Sequence, residues 1–129
     1  MKMTPKVVDK PWGSEVWWAH AEDKYMGKTL YIKEGHRLSL QLHEKKDETI
    51  YVLQGRLKLI YGNLPKYNDL LLTVEEGLKE IYLEAGESFR VEPYTIHRFC
   101  AESQDVVLLE VSTDYPNDVV RIQDDYSRG

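Results

Sequence analysis

Gln41 and His43 stand two residues apart in Leu38-Ser39-Leu40-Gln41-Leu42-His43, and on an extended strand that spacing sends both side chains to one face. Glu48 follows across the polar turn Glu44-Lys45-Lys46-Asp47, at the head of the run Thr49-Ile50-Tyr51-Val52-Leu53. Two antiparallel strands joined this way bring an amide, an imidazole and a carboxylate to one point. His97, where the turn Pro93-Tyr94-Thr95-Ile96 feeds another strand, is the candidate fourth donor. Mixed nitrogen and oxygen donors suit one divalent ion, with zinc, manganese, iron, cobalt and nickel all acceptable. The competing reading is plainer: a lone strand histidine is usually a satisfied core or surface residue, and 44–48 reads as a solvated charged turn. Four donors at matched spacing favour the metal site. His20 and His36, in or beside turns, are read as surface residues.

The elements that must position these donors are strands. Alternation of period two recurs, as in Thr29-Leu30-Tyr31-Ile32-Lys33 and Val106-Val107-Leu108-Leu109-Glu110-Val111, and turn signals fall between such runs at Glu34-Gly35, Gln54-Gly55, Ala85-Gly86 and Tyr115-Pro116-Asn117. Strands are expected near 15–19, 28–33, 37–43, 48–54, 56–61, 80–84, 88–92, 96–101 and 106–112, with 117–125 either a turn of helix or a last strand. The class is all-β, and 1–129 reads as a single domain. The stretch 63–79 is long for a hairpin loop, and Thr73-Val74-Glu75-Glu76 has the form of a helix capping box. A short helix or lid, or a surface insertion, is expected there.

Composition narrows the partners. A net charge of −5 in 129 residues argues against nucleic acid, which needs a dense basic surface. No apolar run reaches the length of a membrane span and the first residues lack the apolar stretch of a signal peptide, so no membrane partner and a cytoplasmic location are expected. The single cysteine, Cys100, makes no internal disulfide and is read as a small core residue.

Gly35-x5-Gln41-x-His43-x4-Glu48-x6-Gly55, followed by Gly86, Pro93 and His97, resembles the two-part pattern of cupins, with Gln41 in place of the commoner histidine. Lys10-Pro11-Trp12-Gly13, Leu38 to His43, His97-Arg98 and the closing Asp118 to Arg128, which includes Arg121, Asp124, Tyr126 and Arg128, look like the cupin domain of type II phosphomannose isomerases, in that family's order. The resemblance covers Lys10 to Arg128 apart from 63–79. It implies a cupin barrel and a metal-dependent aldose–ketose isomerase, converting mannose 6-phosphate to fructose 6-phosphate. Guanylyltransferase activity, which belongs to another domain of such enzymes, is not implied. Lys46 occupies the position of the family's arginine, keeping the charge but losing the bidentate fork.

In such a reaction the metal on Gln41, His43, Glu48 and His97 is the electrophile, and Glu48, Lys46 or Lys33 is the candidate base. Arg37, placed by alternation on the face of Gln41 and His43, and Arg98, beside His97, are the candidates to hold the phosphate. Trp12, Trp17 and Trp18 are read as core and interface aromatics. The same alternation sends Leu38, Leu40 and Leu42 outward, with Tyr51 and Leu53 opposite Glu48 and Val52, and an apolar stripe on two strands predicts a homodimer. Two other functions stay open: another cupin enzyme, a sugar epimerase or dioxygenase, and a non-catalytic module that binds metal or sugar.

Overall fold

A computed structural model describes residues 1–63 and 77–126; the capping box at Thr73 and the closing Arg128 lie outside the described residues. The strands are β1 (Lys6–Lys10), β2 (Gly13–Ala21), β3 (Tyr25–Ile32), β4 (His36–Arg37), β5 (Leu40–Leu42), β6 (Glu48–Gln54), β7 (Arg56–Asn63), β8 (Lys79–Glu84), β9 (Ser88–Val91), β10 (Thr95–Ala101), β11 (Val106–Ser112) and β12 (Val120–Gln123). They form two six-stranded sheets, one in the order β1-β2-β3-β11-β6-β9, the other β12-β5-β10-β7-β8 with β4 beside β10. Every pairing is antiparallel. The class is all-β, as the alternation predicts, and the segment 117–125 resolves into a strand. No helix among the described residues is long and apolar enough to cross a membrane.

The inward residues of both sheets meet in one core, where Leu30, Ile32, Ile50, Val52, Leu57, Leu59, Phe99 and Leu108 are almost wholly removed from water. Each such side chain contributes about 1.5–3 kcal/mol of burial. Trp12 enters this core because the chain beside it comes very close to β3. A Cβ on Gly13, whose φ is +153°, would stand 1.8 Å from the Tyr31 carbonyl oxygen, so only glycine fits. β1, which the alternation did not mark as a strand, adds an outer edge to the first sheet.

The expected strand 37–43 is broken. β4 ends at Arg37 and β5 begins at Leu40, because the Leu38 carbonyl is taken by Arg98 Nε at 2.8 Å. The break shifts the alternation. Leu38 joins the main core instead of facing outward. Leu40 and Leu42 are also buried, packed with Ile96, Ile60, Leu78 and Ile122 in a second cluster. The expected outward stripe of Leu38, Leu40 and Leu42 is therefore corrected, since this chain covers it. Tyr51 and Leu53 stay exposed, at 40% and 52%.

Candidate metal centre

His97 on β10 lies directly across from Gln41 on β5, and Glu48 opens β6 on the facing sheet. His43 follows β5. His43, Glu48 and His97 each turn a ligand-type atom to one point, all within 4.8 Å of one another. His97 Nε2 is 3.2 Å and His43 Nε2 3.7 Å from Glu48 Oε1. Gln41 lines the same pocket with His43, Lys46 and Glu48.

The far nitrogen of each imidazole fixes its tautomer. Nδ1 of His43 faces the Asp118 carbonyl, and Nδ1 of His97 the Thr95 carbonyl at 2.9 Å. A carbonyl only accepts, so both Nδ1 atoms carry hydrogen and both Nε2 lone pairs aim at Glu48. Glu48 Oε1 and His97 Nε2 are buried without a hydrogen-bond partner. Lone pairs converging on a buried carboxylate repel unless a cation sits among them. The group thus fits a divalent metal, held by His43, Glu48 and His97 with Gln41 beside them.

The turn that carries Lys46 and Glu48 is clamped from far along the chain. The Asp118 carboxylate accepts from the backbone N–H groups of Glu44, Lys45 and Lys46 at 3.2, 2.7 and 2.9 Å, while its own carbonyl orients His43. One residue of the closing segment thus sets both a ligand's tautomer and the ligand-bearing turn.

Behind Glu48 runs a ladder of alternating buried charge. Lys46 Nζ is 3.0 Å from Glu48 Oε2 and 3.3 Å from Glu110 Oε2. Lys28 Nζ is 3.5 Å from the same Glu110 oxygen and 3.2 Å from Glu15 Oε1, which also accepts from Trp17 Nε1 at 2.8 Å. Burial alone would raise the Glu48 carboxyl, yet the Lys46 ammonium beside it holds it well below its usual range. Glu110 goes the other way, pushed up by burial and then by the charge of Glu48. Lys46 is raised despite its burial, because Glu110 and Glu48 flank its ammonium.

These positions sort the expected site residues. Gln41, His43, Lys46, Glu48 and His97 are brought together; Lys33, Arg37 and Arg98 are not. Lys33 is exposed, outside the pocket lining. Arg37 points away from the barrel and forks onto Asp125, at 2.6 and 3.0 Å. Its expected inward direction fails because alternation is lost at Leu38. Arg98 is buried, but spends its guanidinium on the Leu38 and Gln123 carbonyls and on Asp125. Lys46 as a neutral base is corrected as well, since two carboxylates keep it protonated. Glu15, Lys28 and Glu110 were not anticipated. Their signal was charge in phase with the core: Lys28 with Leu30 and Ile32, Glu110 with Val106 and Leu108.

A family model described as D-lyxose isomerase matches residues 65–124, just under half of the chain. No match is found among curated protein sequences. Among solved structures, the capsular polysaccharide assembling protein CapF of Staphylococcus aureus superposes with a TM-score of 0.76 at 15% identity, over 95% of this chain and 32% of that one. KdgF of a Halomonas species gives 0.68 at 18% identity, over 87% and 88%. Oxalate decarboxylase of Lactobacillus farciminis gives 0.72 at 15% identity, over 92% and 33%. This chain thus spans about a third of CapF and of the decarboxylase, and nearly all of KdgF. With its two antiparallel sheets closed around one core and a pocket between them, the chain has the double-stranded β-helix fold.

Proposed function

We propose that this chain is a metal-dependent aldose–ketose isomerase of a sugar or sugar phosphate, with mannose 6-phosphate and D-lyxose as the first substrates to try. The observation that carries it is the convergence of two imidazole lone pairs and Glu48 beside a buried lysine–carboxylate ladder in one pocket. The D-lyxose isomerase match supports the reaction class. The metal would polarise the sugar carbonyl. Glu110 lines the pocket without being a ligand, so its carboxylate is placed to move a proton between C1 and C2. Lys46 and Lys28 keep that carboxylate in position, and Lys46 has a further N–H for an oxygen that gains charge.

The test is solvent deuterium at C2, followed by NMR, with the protein as purified and its metal measured. Incorporation into one of the two sugars is expected, reduced about a hundred-fold in Glu110→Gln and abolished in the His43→Ala/His97→Ala double variant. Bound metal with no exchange in either sugar would end the isomerase reading in favour of another cupin reaction or a binding module.

The oligomer belongs to the same proposal, on a corrected surface. Trp18, Tyr31, Tyr51, Leu53 and Val111 are each at least 40% exposed on the first sheet, and outward residues of its central strand β11 (Val107, Leu109, Val111) carry no charge. A second copy, face to face about a two-fold axis, is the occupant that matches the uncharged centre of this sheet face with itself. Sedimentation equilibrium is expected to give twice the chain mass, and Leu53→Lys with Val111→Lys to give the chain mass.

A further inference from the structure

The pocket does not end at the metal ligands. Lys10, Trp17, Pro116, Val119 and Arg121 line it and also line a second, wider cavity that extends to Lys6 and Asn117. The two spaces, about 100 and 600 Å³, are consecutive compartments with a shared wall.

Strand register sets which residues face them. Partners across an antiparallel pair share a face. Lys6 pairs with Trp17, Trp17 with Lys28 and Lys28 with Glu110, so one row runs from the sheet edge to the ladder. Lys10 shares the face of Lys6 by alternation, whereas Asp9, the acidic residue of the outer lining, falls on the other face. On the opposite sheet Arg121 pairs with Gln41, which pairs with His97. Trp17 links the compartments: Lys6 Nζ lies 5.1 Å and Lys28 Nζ 5.5 Å from its ring centroid. A chain of net charge −5 thus gathers Lys6, Lys10 and Arg121 at the mouth of its pocket, from the edges of both sheets.

We infer that the outer compartment is an anion subsite, holding a phosphate or carboxylate at the far end of a ligand whose other end reaches Gln41, His43, Glu48 and His97. The inference rests on the reading of those four as a metal site for a sugar, and narrows the substrate to an acidic one. It also gives the anchoring role expected of Arg37 and Arg98 to Arg121 and the β1 lysines. Ammonium and guanidinium groups facing each other across a wet cleft raise the local concentration of anions and steer them inward.

Isothermal titration of the purified protein, with its metal measured, compares mannose 6-phosphate, glucuronate and mannose. At least one acid is expected to bind about ten-fold more tightly than mannose, a charge-assisted hydrogen bond or two, with the advantage falling as salt rises. If mannose 6-phosphate alone gains, the subsite is for phosphate; if glucuronate gains as much, it takes carboxylate too. Lys6 and Arg121 are exposed, so the Lys6→Ala/Arg121→Ala variant should fold, bind mannose as before and lose the preference, while Arg121→Lys keeps part of it. Acids that bind no better than mannose, or a preference surviving in the double variant, would overturn the subsite. A protein that keeps the preference but exchanges no C2 proton retains the subsite and loses the isomerase; one that isomerises without the preference does the reverse.

Discussion

A Glu48→Gln variant is expected to bind its divalent metal about a hundred-fold more weakly or worse, yet to be at least as stable as the wild type when no metal is bound. The two effects have one cause. The ladder holds three carboxylates, Glu15, Glu110 and Glu48, against two ammoniums, Lys28 and Lys46. Without Glu48 it is balanced; with Glu48 it carries one buried negative charge too many, and Oε1 has no hydrogen-bond partner. A glutamine removes that charge, and its amide can donate to the His97 Nε2 lone pair 3.2 Å away from Oε1. The same change withdraws the one anionic ligand among the described residues of the centre. Groups that merely orient a ligand are already worth about 10- to 100-fold in affinity, so losing this one falls at or beyond the top of that range. Competition against a fluorescent chelator gives the affinity, and melting with chelator or with saturating metal gives the stabilities. Saturating metal, at about a thousand times its dissociation constant, should add about 4 kcal/mol to the wild type and much less to the variant. Unchanged metal affinity, or a metal-free variant that melts well below the wild type, would remove Glu48 from the role given to it.

How far the sequence carries depends on whether neighbouring residues or distant ones settle the geometry. Gln41 and Glu48 sit on two strands joined by one short turn and His43 directly follows the first of them, so strand periodicity brings the three to one pocket. β6 and β11 fall on the expected residues, 48–54 and 106–112. Arg37 fails by a long-range event: Arg98 captures the Leu38 carbonyl, the strand breaks, and every parity argument across the break is lost. The supposed outward leucines fail with it, because Ile96 and Ile122 arrive from distant strands to cover two of them. Asp118 shows a different limit. Its grip on residues 44–46 spans more than seventy positions, and nothing local to an aspartate in a polar segment announces it. Glu110 was the most legible of the residues overlooked, a carboxylate where alternation calls for a core side chain.

Lys46→Met is expected to destabilise the metal-free protein by about 3–5 kcal/mol, the usual cost of removing one partner from a buried ion pair, and Glu110→Leu by less, because two carboxylates then remain for two ammoniums. Together they should cost much less than the sum. Lys46→Met leaves Glu48 and Glu110, both fully buried or nearly so, facing each other with no cation between them. Glu110→Leu leaves Lys28 with Glu15 and Lys46 with Glu48, but takes away the carboxylate that both ammoniums share. The double variant removes one charge of each sign, and the two apolar side chains meet where the ion pair was, so the net charge of the ladder is unchanged. Coupling of this sign is what a ladder held by charge balance requires, whereas side chains that act only by filling space would add independently. Urea unfolding of the four proteins in chelator measures the cycle. Metal supplies a second arm: a dication beside Glu48 replaces the positive charge lost in Lys46→Met, so saturating metal should return part of that variant's stability and none of what Glu110→Leu loses. Additive losses, or equal rescue of both single variants, would mean that Lys28, Lys46, Glu15 and Glu110 are separate ion pairs rather than one unit supporting the metal centre.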